Sequence, residues 1–226
     1  MLSEMFTKLW ANGLIQKGIW ETVYMTAISS AFAYVLGLPL GVILNITDRT
    51  GLCQKPKFNK ILGFLVNFFR SIPFIILMVA MLPVAKFIVG TSLGNKAVIV
   101  MLIIAAAPYV ARMVESSLKE VDSGVIEAAR SMGADNFEII TKVLIPEAGP
   151  SLITGAAISV VTILGYSAMA ATIGGTGLGQ IAIIYGHQRS NPDITWICVF
   201  LTVIIVQIIQ ELGNFIAEKT DKRINK

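Results

Sequence analysis

Long stretches of this chain carry no charge. Residues 23–46, 97–111, 148–188 and 194–210 hold no Asp, Glu, Lys or Arg, and residues 61–85 hold only Arg70. A helix crossing the hydrocarbon core of a bilayer needs about 20 apolar residues. The pattern therefore predicts five membrane spans, about 20–46, 61–85, 93–114, 150–172 and 193–215, forming one domain over residues 1–226. The third span extends its uncharged run past Lys96, whose long stem lets the ammonium snorkel to the interface. Ahead of the first span, Leu2, Met5, Phe6, Leu9, Trp10 and Gly13 recur at helical spacing opposite Ser3, Glu4, Lys8 and Asn12. That suits an amphipathic helix, about 1–18, lying in the membrane surface. It has neither the basic start nor the small-residue cleavage site of a signal peptide.

The apolar pattern breaks between Pro108 and Pro150, where charged residues run throughout. Asp122-Ser123-Gly124 offers a helix N-cap, Ile126 to Met132 supplies two turns, and Gly133 fits a left-handed stop. Asp135 with Glu138 is a capping-box variant that opens a second helix, about 136–144, which Pro146 ends while offering a start for span four. The result is a helix, glycine turn and helix over about 120–146. The small Ala128 and Ala129 would let a partner backbone come close, and Ile126, Met132, Phe137, Ile140 and Val143 would fill a groove.

Composition agrees with a membrane chain: 55% of the 226 residues are hydrophobic, 14% are charged, and the mean hydropathy is +0.74. Soluble domains carry about 25% charged residues. Charge then sets orientation, because Lys and Arg in short loops mark the cytoplasmic side. Twelve fall on one side: Arg49, Lys55, Lys57, Lys60, Arg112, Lys119, Arg130, Lys142, Lys219, Lys222, Arg223 and Lys226. Five fall on the other, Lys8, Lys17, Lys86, Lys96 and Arg189, with Arg70 set aside as intramembrane. The N-terminus then faces out, and the hairpin and C-terminus face the cytoplasm. Trp10, Trp20 and Trp196 would sit near the outer interface. The net charge of +4 reflects topology, with no sign of nucleic-acid binding.

Candidate chemistry is sparse. Cys53 and Cys198 lack any metal or redox spacing and read as free thiols. No HExxH, GxSxG, paired-acid or Walker motif occurs, so no catalytic residue, metal or bound cofactor is expected. Span four carries Gly149, Ser151, Thr154, Gly155, Ala156, Ala157 and Ser159, suited either to a pore wall or to close helix contact. Beyond it, Tyr166, Ser167 and Met169 precede Gly174, Gly175 and Gly177. So many glycines disfavour a continuous helix at about 1 kcal/mol each against Ala, suggesting a hinge or a re-entrant outer gate. Met169 would narrow the path or pack in the core. Arg70, next to Pro73, needs an anionic partner or an interface; Glu115 and Glu211 are the acids available. Gly37, Pro39 and Gly41 suggest a kink, Gln207 and Gln210 interhelical hydrogen bonds, and the lone His187 a solvated loop.

Glu127-Ala128-Ala129, three residues, Gly133, nine residues, then Val143-Leu144-Ile145-Pro146 resembles the signature loop of ABC importer permeases. Phe69-Arg70-Ser71-Ile72-Pro73-Phe74, Gly90-Thr91-Ser92, Ala107-Pro108, Ala111-Arg112-Met113-Val114-Glu115, Gly165-Tyr166-Ser167-Ala168-Met169 and Gly177-Leu178-Gly179-Gln180 extend the resemblance to the methionine-uptake subfamily. It implies a type I importer permease fold in the bacterial plasma membrane and a homodimer enclosing the pore. It also implies two separate ATPase subunits carrying ATP and Mg, an extracytoplasmic methionine-binding lipoprotein, and a coupling helix at Glu127. Another amino-acid or peptide cargo, an ATPase-independent carrier or channel, and a membrane enzyme or scaffold remain as alternatives.

Overall fold

The computed structural model describes residues 2–221, with side chains for all of these except 2–5 and Lys8; Lys222, Arg223 and Lys226, counted above towards orientation, lie outside the described residues. Every regular element among the described residues is helical. Four helices among the described residues are long and apolar enough to cross a membrane: α2 (Leu14–Ile46), α6 (Asn95–Lys119), the helical run Gly149–Ile173 and the last helix, Pro192–Thr220. A broken pair, α3 (Pro56–Ser71) and α4 (Phe74–Ala80), makes a fifth when its pieces are taken together.

That break corrects the expectation of one continuous helix over 61–85. Pro73 has no N–H to extend α3 and disfavours helical backbone at the residue before it. Its own backbone is extended (φ −54°, ψ 134°), and its carbonyl accepts from the Ile76 and Leu77 amides at 2.9 and 3.0 Å, starting α4 anew. A further helix, α5 (Leu82–Val89), follows with Pro83 in its first turn and closes on left-handed Gly90. By contrast α2 and α6 run on with Pro39 and Pro108 inside them. The N-terminal helix is also shorter than expected: α1 (Leu2–Ala11) stops before Gly13 (φ +71°), and residues 14–18 open α2.

Two compact units make up the chain. One comprises Met1–Phe32, Ile72–Ala106 and Val160–Ile209. Its core gathers Leu178, Ile181, Ile194 and Cys198, with Leu9 of α1 and Leu14 and Ile19 of α2 packed against them. Trp10, Trp20 and Trp196 are all in this unit and exposed, as is Phe87 at 91%. Large apolar side chains left outside a core suit a lipid solvent rather than water.

The other comprises Ala33–Ser71, Ala107–Ser159 and Gln210–Lys226, with Leu44, Val66 and Ala111 at its core beside Leu40 and Leu62. Here α2 lies so close to α6 that a Cβ on Gly37 would come within 2.7 Å of Val110, and one on Gly41 within 2.6 Å of the Ala111 carbonyl oxygen. Small residues permit this approach, and dispersion contacts then hold the pair where water cannot drive association.

Candidate functional site

A charged hairpin follows α6 directly. Its first helix, α7 (Ser123–Ser131), starts where the Asp122 carboxylate accepts from the Gly124 amide at 2.7 Å. It ends in a full Schellman turn: the Gly133 amide donates to Arg130 at 3.0 Å and the Ala134 amide to Ala129 at 3.2 Å. Gly133 holds φ +87°, where a Cβ meets nothing nearby but is strained by the backbone itself. The predicted capping box is present. Asp135 accepts from the Glu138 amide at 2.7 Å, and Glu138 accepts from the Asp135 amide at 3.3 Å and pairs with Lys142 at 2.8 Å. Lys142 and the Asp135 amide hold the Glu138 carboxyl below its usual range.

The second arm does not stop at Pro146. It starts as Asn136–Glu138, widens to a π-helix over Ile139–Leu144 and continues through Ile145–Glu147. Pro146 has no N–H for the Lys142 carbonyl, and its ring would crowd that oxygen. The Ile145 amide reaches back five residues to Ile140 instead, and the widened turn accommodates the proline. Pro146 itself is exposed.

The hairpin's outer surface is specific. Glu127, Ala128 and Gly133 are exposed, with Met132 at 82% and Phe137 at 73%. Ile126, Ile140 and Val143 are half-buried. Ala129 departs from expectation: at 4% exposure it packs inward, so only Ala128 presents a small face. Behind α7 lies a cavity of about 330 Å³ lined by Asp48, Lys119, Ile126, Glu127, Arg130 and Leu144. The Asn136 amide lies 3.5 Å from Cys53 Sγ, linking the hairpin to the first loop.

Glu115, considered above for Arg70, is engaged elsewhere. It pairs with Arg112 at 2.5 Å and Lys119 at 2.8 Å, while Arg70 is exposed at the end of α3 and makes no ion pair among the described residues. Sequence reading missed Asp48, which pairs with Lys119 at 3.1 Å. Its carboxyl is lowered by the Arg49 amide first and then by Lys119.

In the other unit, the glycine run is neither helical nor loose. Helix Gly149–Met169 tightens to a 3₁₀ turn, Ala170–Ile173, and closes on left-handed Gly174 (φ +85°). The Thr176 amide and hydroxyl both donate to Asn95 Oδ1, at 3.2 and 2.7 Å. The Leu178 amide donates to Thr22 Oγ1 at 2.9 Å, so a Cβ on Gly177 (φ +103°) would meet that oxygen at 2.6 Å. Gly175 is buried too, with the Ala170 carbonyl oxygen 2.8 Å from where its Cβ would lie. Tyr166 stacks on Phe74 with ring centroids 4.4 Å apart, and the buried Ser167 hydroxyl donates to the Leu164 carbonyl. Met169, at 44%, is exposed. Thr22 and Asn95 carried no sequence signal, since each meets its partner across more than 80 residues of chain.

On the small-residue face of span four, Ser151 and Thr154 line a cavity of about 480 Å³ with Ser117, Glu120 and Glu147. Ser159 is buried and spends its proton on the Gly155 carbonyl at 2.7 Å.

Comparison with known proteins gives the same picture. The probable D-methionine transport system permease protein MetI of Vibrio cholerae is 48% identical over 212 residues, 94% of each chain. The methionine import system permease protein MetP of Bacillus subtilis is 46% identical, covering 96% of this chain and 95% of its own. A solved structure of inward-facing conformations of the MetNI methionine ABC transporter superposes with TM-score 0.91 at 45% identity, covering 92% of this chain and 97% of that one. An amino acid ABC transporter at 18% identity, TM-score 0.77, covering 95% and 97%, shares the fold. Residues 37–226 match the family described as binding-protein-dependent transport system inner membrane component, hairpin included. With an apolar helical body and that hairpin, the chain belongs to this family of multi-pass inner-membrane permeases.

Proposed function

We propose that this chain is the permease subunit of an ATP-driven methionine importer, working as a homodimer whose two copies enclose the path. The observation that carries the reading is the hairpin. Glu127, Ala128, Met132 and Phe137 stand exposed on a frame fixed by an N-cap, a Schellman turn and a capping box. Preorganised exposure of this kind suits a surface that docks repeatedly without refolding. The docked partner is a separate ATPase, two copies per dimer, which would carry ATP and Mg; this chain would hold neither. The cargo follows from relatives named for methionine over nearly their whole length.

In this reading, closure of the ATPase pair draws the two hairpins together. That motion enters α6 at Lys119 and helix Gly149–Met169 just beyond Glu147. An extracytoplasmic methionine-binding protein, lipid-anchored, delivers cargo from outside. Met169 and the loop at Gly174, Gly175 and Gly177 narrow the outer end, with Tyr166 and Ser167 fixing the helix that carries them. Arg70 and Pro73 mark where the broken span meets the bilayer. The N-terminus faces out and the C-terminus faces the cytoplasm.

The test uses the purified complex in vesicles, with receptor and labelled L-methionine. Glu127→Lys and Gly133→Val should leave insertion intact yet lower uptake at least tenfold, and excess D-methionine should compete with native uptake. Normal uptake by both variants would overturn the docking role. Uptake that follows an ion gradient without ATP would overturn the motor. Uptake indifferent to methionine competitors would overturn the cargo.

A further inference from the structure

Beneath the hairpin lies a charge network that docking itself does not use. Glu115 is only 5% exposed, and a carboxylate taken from water must be paired. Its two oxygens are divided: Oε2 takes Arg112 Nη1 at 2.5 Å and Oε1 takes Lys119 Nζ at 2.8 Å. Each cation then reaches another element. Lys119 pairs with Asp48 Oδ2 at 3.1 Å, two residues past the end of α2. Arg112 Nη2 donates to the Gly63 carbonyl on α3 at 3.1 Å, passing where that residue has no side chain.

The far side is itself held together. Asn59, near the start of α3, donates its amide to the Leu44 carbonyl at 2.6 Å and to Thr47 Oγ1 at 3.0 Å. The Cys53 and Lys55 amides donate to Ile46 and Thr47 carbonyls at 2.8 and 3.0 Å. The end of α2, its loop and the start of α3 are therefore one hydrogen-bonded piece. Lys119 is the last residue of α6, and the cap of α7 is only three residues on, at Asp122. A displacement of the hairpin is felt first at this lysine. Tilting α6 alone would pull Lys119 from Asp48 and Arg112 from Gly63.

We propose that Asp48, Lys119, Glu115 and Arg112 form a charged joint that passes hairpin displacement from α6 to α2 and α3, with Asp48 the positioning residue that closes it. The proposal rests on the reading of the hairpin as an ATPase dock. Asp48 tests it best, because it is partly exposed and its loss leaves the Glu115 pairs intact.

The experiment uses the complete complex in phosphatidylethanolamine–phosphatidylglycerol vesicles with methionine-loaded receptor, reading ATP hydrolysed and methionine accumulated together. Asp48→Asn should keep its ATPase subunits in gel filtration and hydrolyse ATP within twofold of native, while methionine moved per ATP falls at least fivefold. Asp48→Glu, which restores the carboxylate, should recover that ratio to within twofold. An unchanged ratio in Asp48→Asn, an equal loss in Asp48→Glu, or loss of the ATPase subunits from Asp48→Asn would overturn the joint. Failure of the native chain to bind an ATPase would overturn both readings, whereas a native complex that works beside an unaltered Asp48→Asn sinks the joint alone.

Discussion

Among single residues, Glu115 and Gly177 carry constraints with opposite origins. Replacing Glu115 by Ala strands the Arg112 and Lys119 cations it neutralises. Breaking one partner out of a buried ion pair costs about 3–5 kcal/mol; here Lys119 is half-exposed and keeps Asp48, so the lower end of that range applies. Thermal unfolding of the detergent-solubilised chain should show a marked fall in Tm for Glu115→Ala and a smaller one for Glu115→Gln, which keeps an acceptor. Gly177→Ala combines a left-handed backbone with a Cβ 2.6 Å from Thr22 Oγ1. Strain of this kind is of order 1–3 kcal/mol. Gly165 is a fair control: it is helical, exposed and open around its missing Cβ, so Gly165→Ala should hold or raise Tm by helix propensity. Equal effects of the two alanines would show that Gly177 is not gripped. Gly133 was legible in the sequence because a stop is a local requirement. The grip on Gly177 was not, since nothing local says that Thr22 lies opposite it.

Individual elements were legible where neighbours within four residues decide them. Asp122, Asp135 and Glu138 act over two or three positions, so the hairpin's caps are written in order along the chain. The broken span was not read correctly, because apolar content measures membrane affinity and is blind to whether a helix is continuous. Pro146 likewise marked a discontinuity that reads in the sequence as a stop, whereas the chain absorbs it in a widened turn. Pro146→Ala would restore a donor for the Lys142 carbonyl. The π turn should then relax to α geometry, swinging the hairpin by up to about 100° per residue of register against the helix that follows. Stability should rise slightly while methionine moved per ATP falls; a variant unchanged in coupling would mean that the widened turn sets no docking angle. The capping box also carries a pH signature. Glu138 has a lowered folded-state pKa, so its contribution is complete above the ordinary carboxylate range and is lost as pH falls through the lowered value. Amide exchange at residues 136–139, corrected for intrinsic rates, should stay flat from about pH 8 to 5 and quicken below about pH 4. Acceleration near neutral pH would contradict this.

For the molecule as a whole, the positive charges counted from the sequence partition cleanly. Of the twelve assigned to the cytoplasm, the nine among the described residues all fall in the unit built from Ala33–Ser71, Ala107–Ser159 and Gln210–Lys226, and the five assigned outside fall in the other. The apolar runs behind four spans and a broken fifth were readable, because they follow from bilayer thickness; the side each loop faces is a prediction from loop charge. Which polar residues meet across those segments was not readable, as the pairs Asp48–Lys119 and Asn95–Thr176 illustrate. The two native cysteines offer a direct check on orientation. Cys53 lies in the first loop and is half-buried, whereas Cys198 is 2% exposed inside the last helix. A membrane-impermeant maleimide added to intact spheroplasts should leave both untouched, since Cys53 would be on the inner side and Cys198 is shielded by its own unit. In inverted vesicles the same reagent should label Cys53 alone, and Cys53→Ser should abolish the signal. Placing a cysteine at the exposed Ser190 should give the reverse pattern, labelled from outside and protected in inverted vesicles. Labelling of Cys53 in spheroplasts would turn the chain over and put the hairpin where no ATPase could reach it. That single result would remove the orientation, the motor and the joint together, since all three require the hairpin in the compartment that holds ATP.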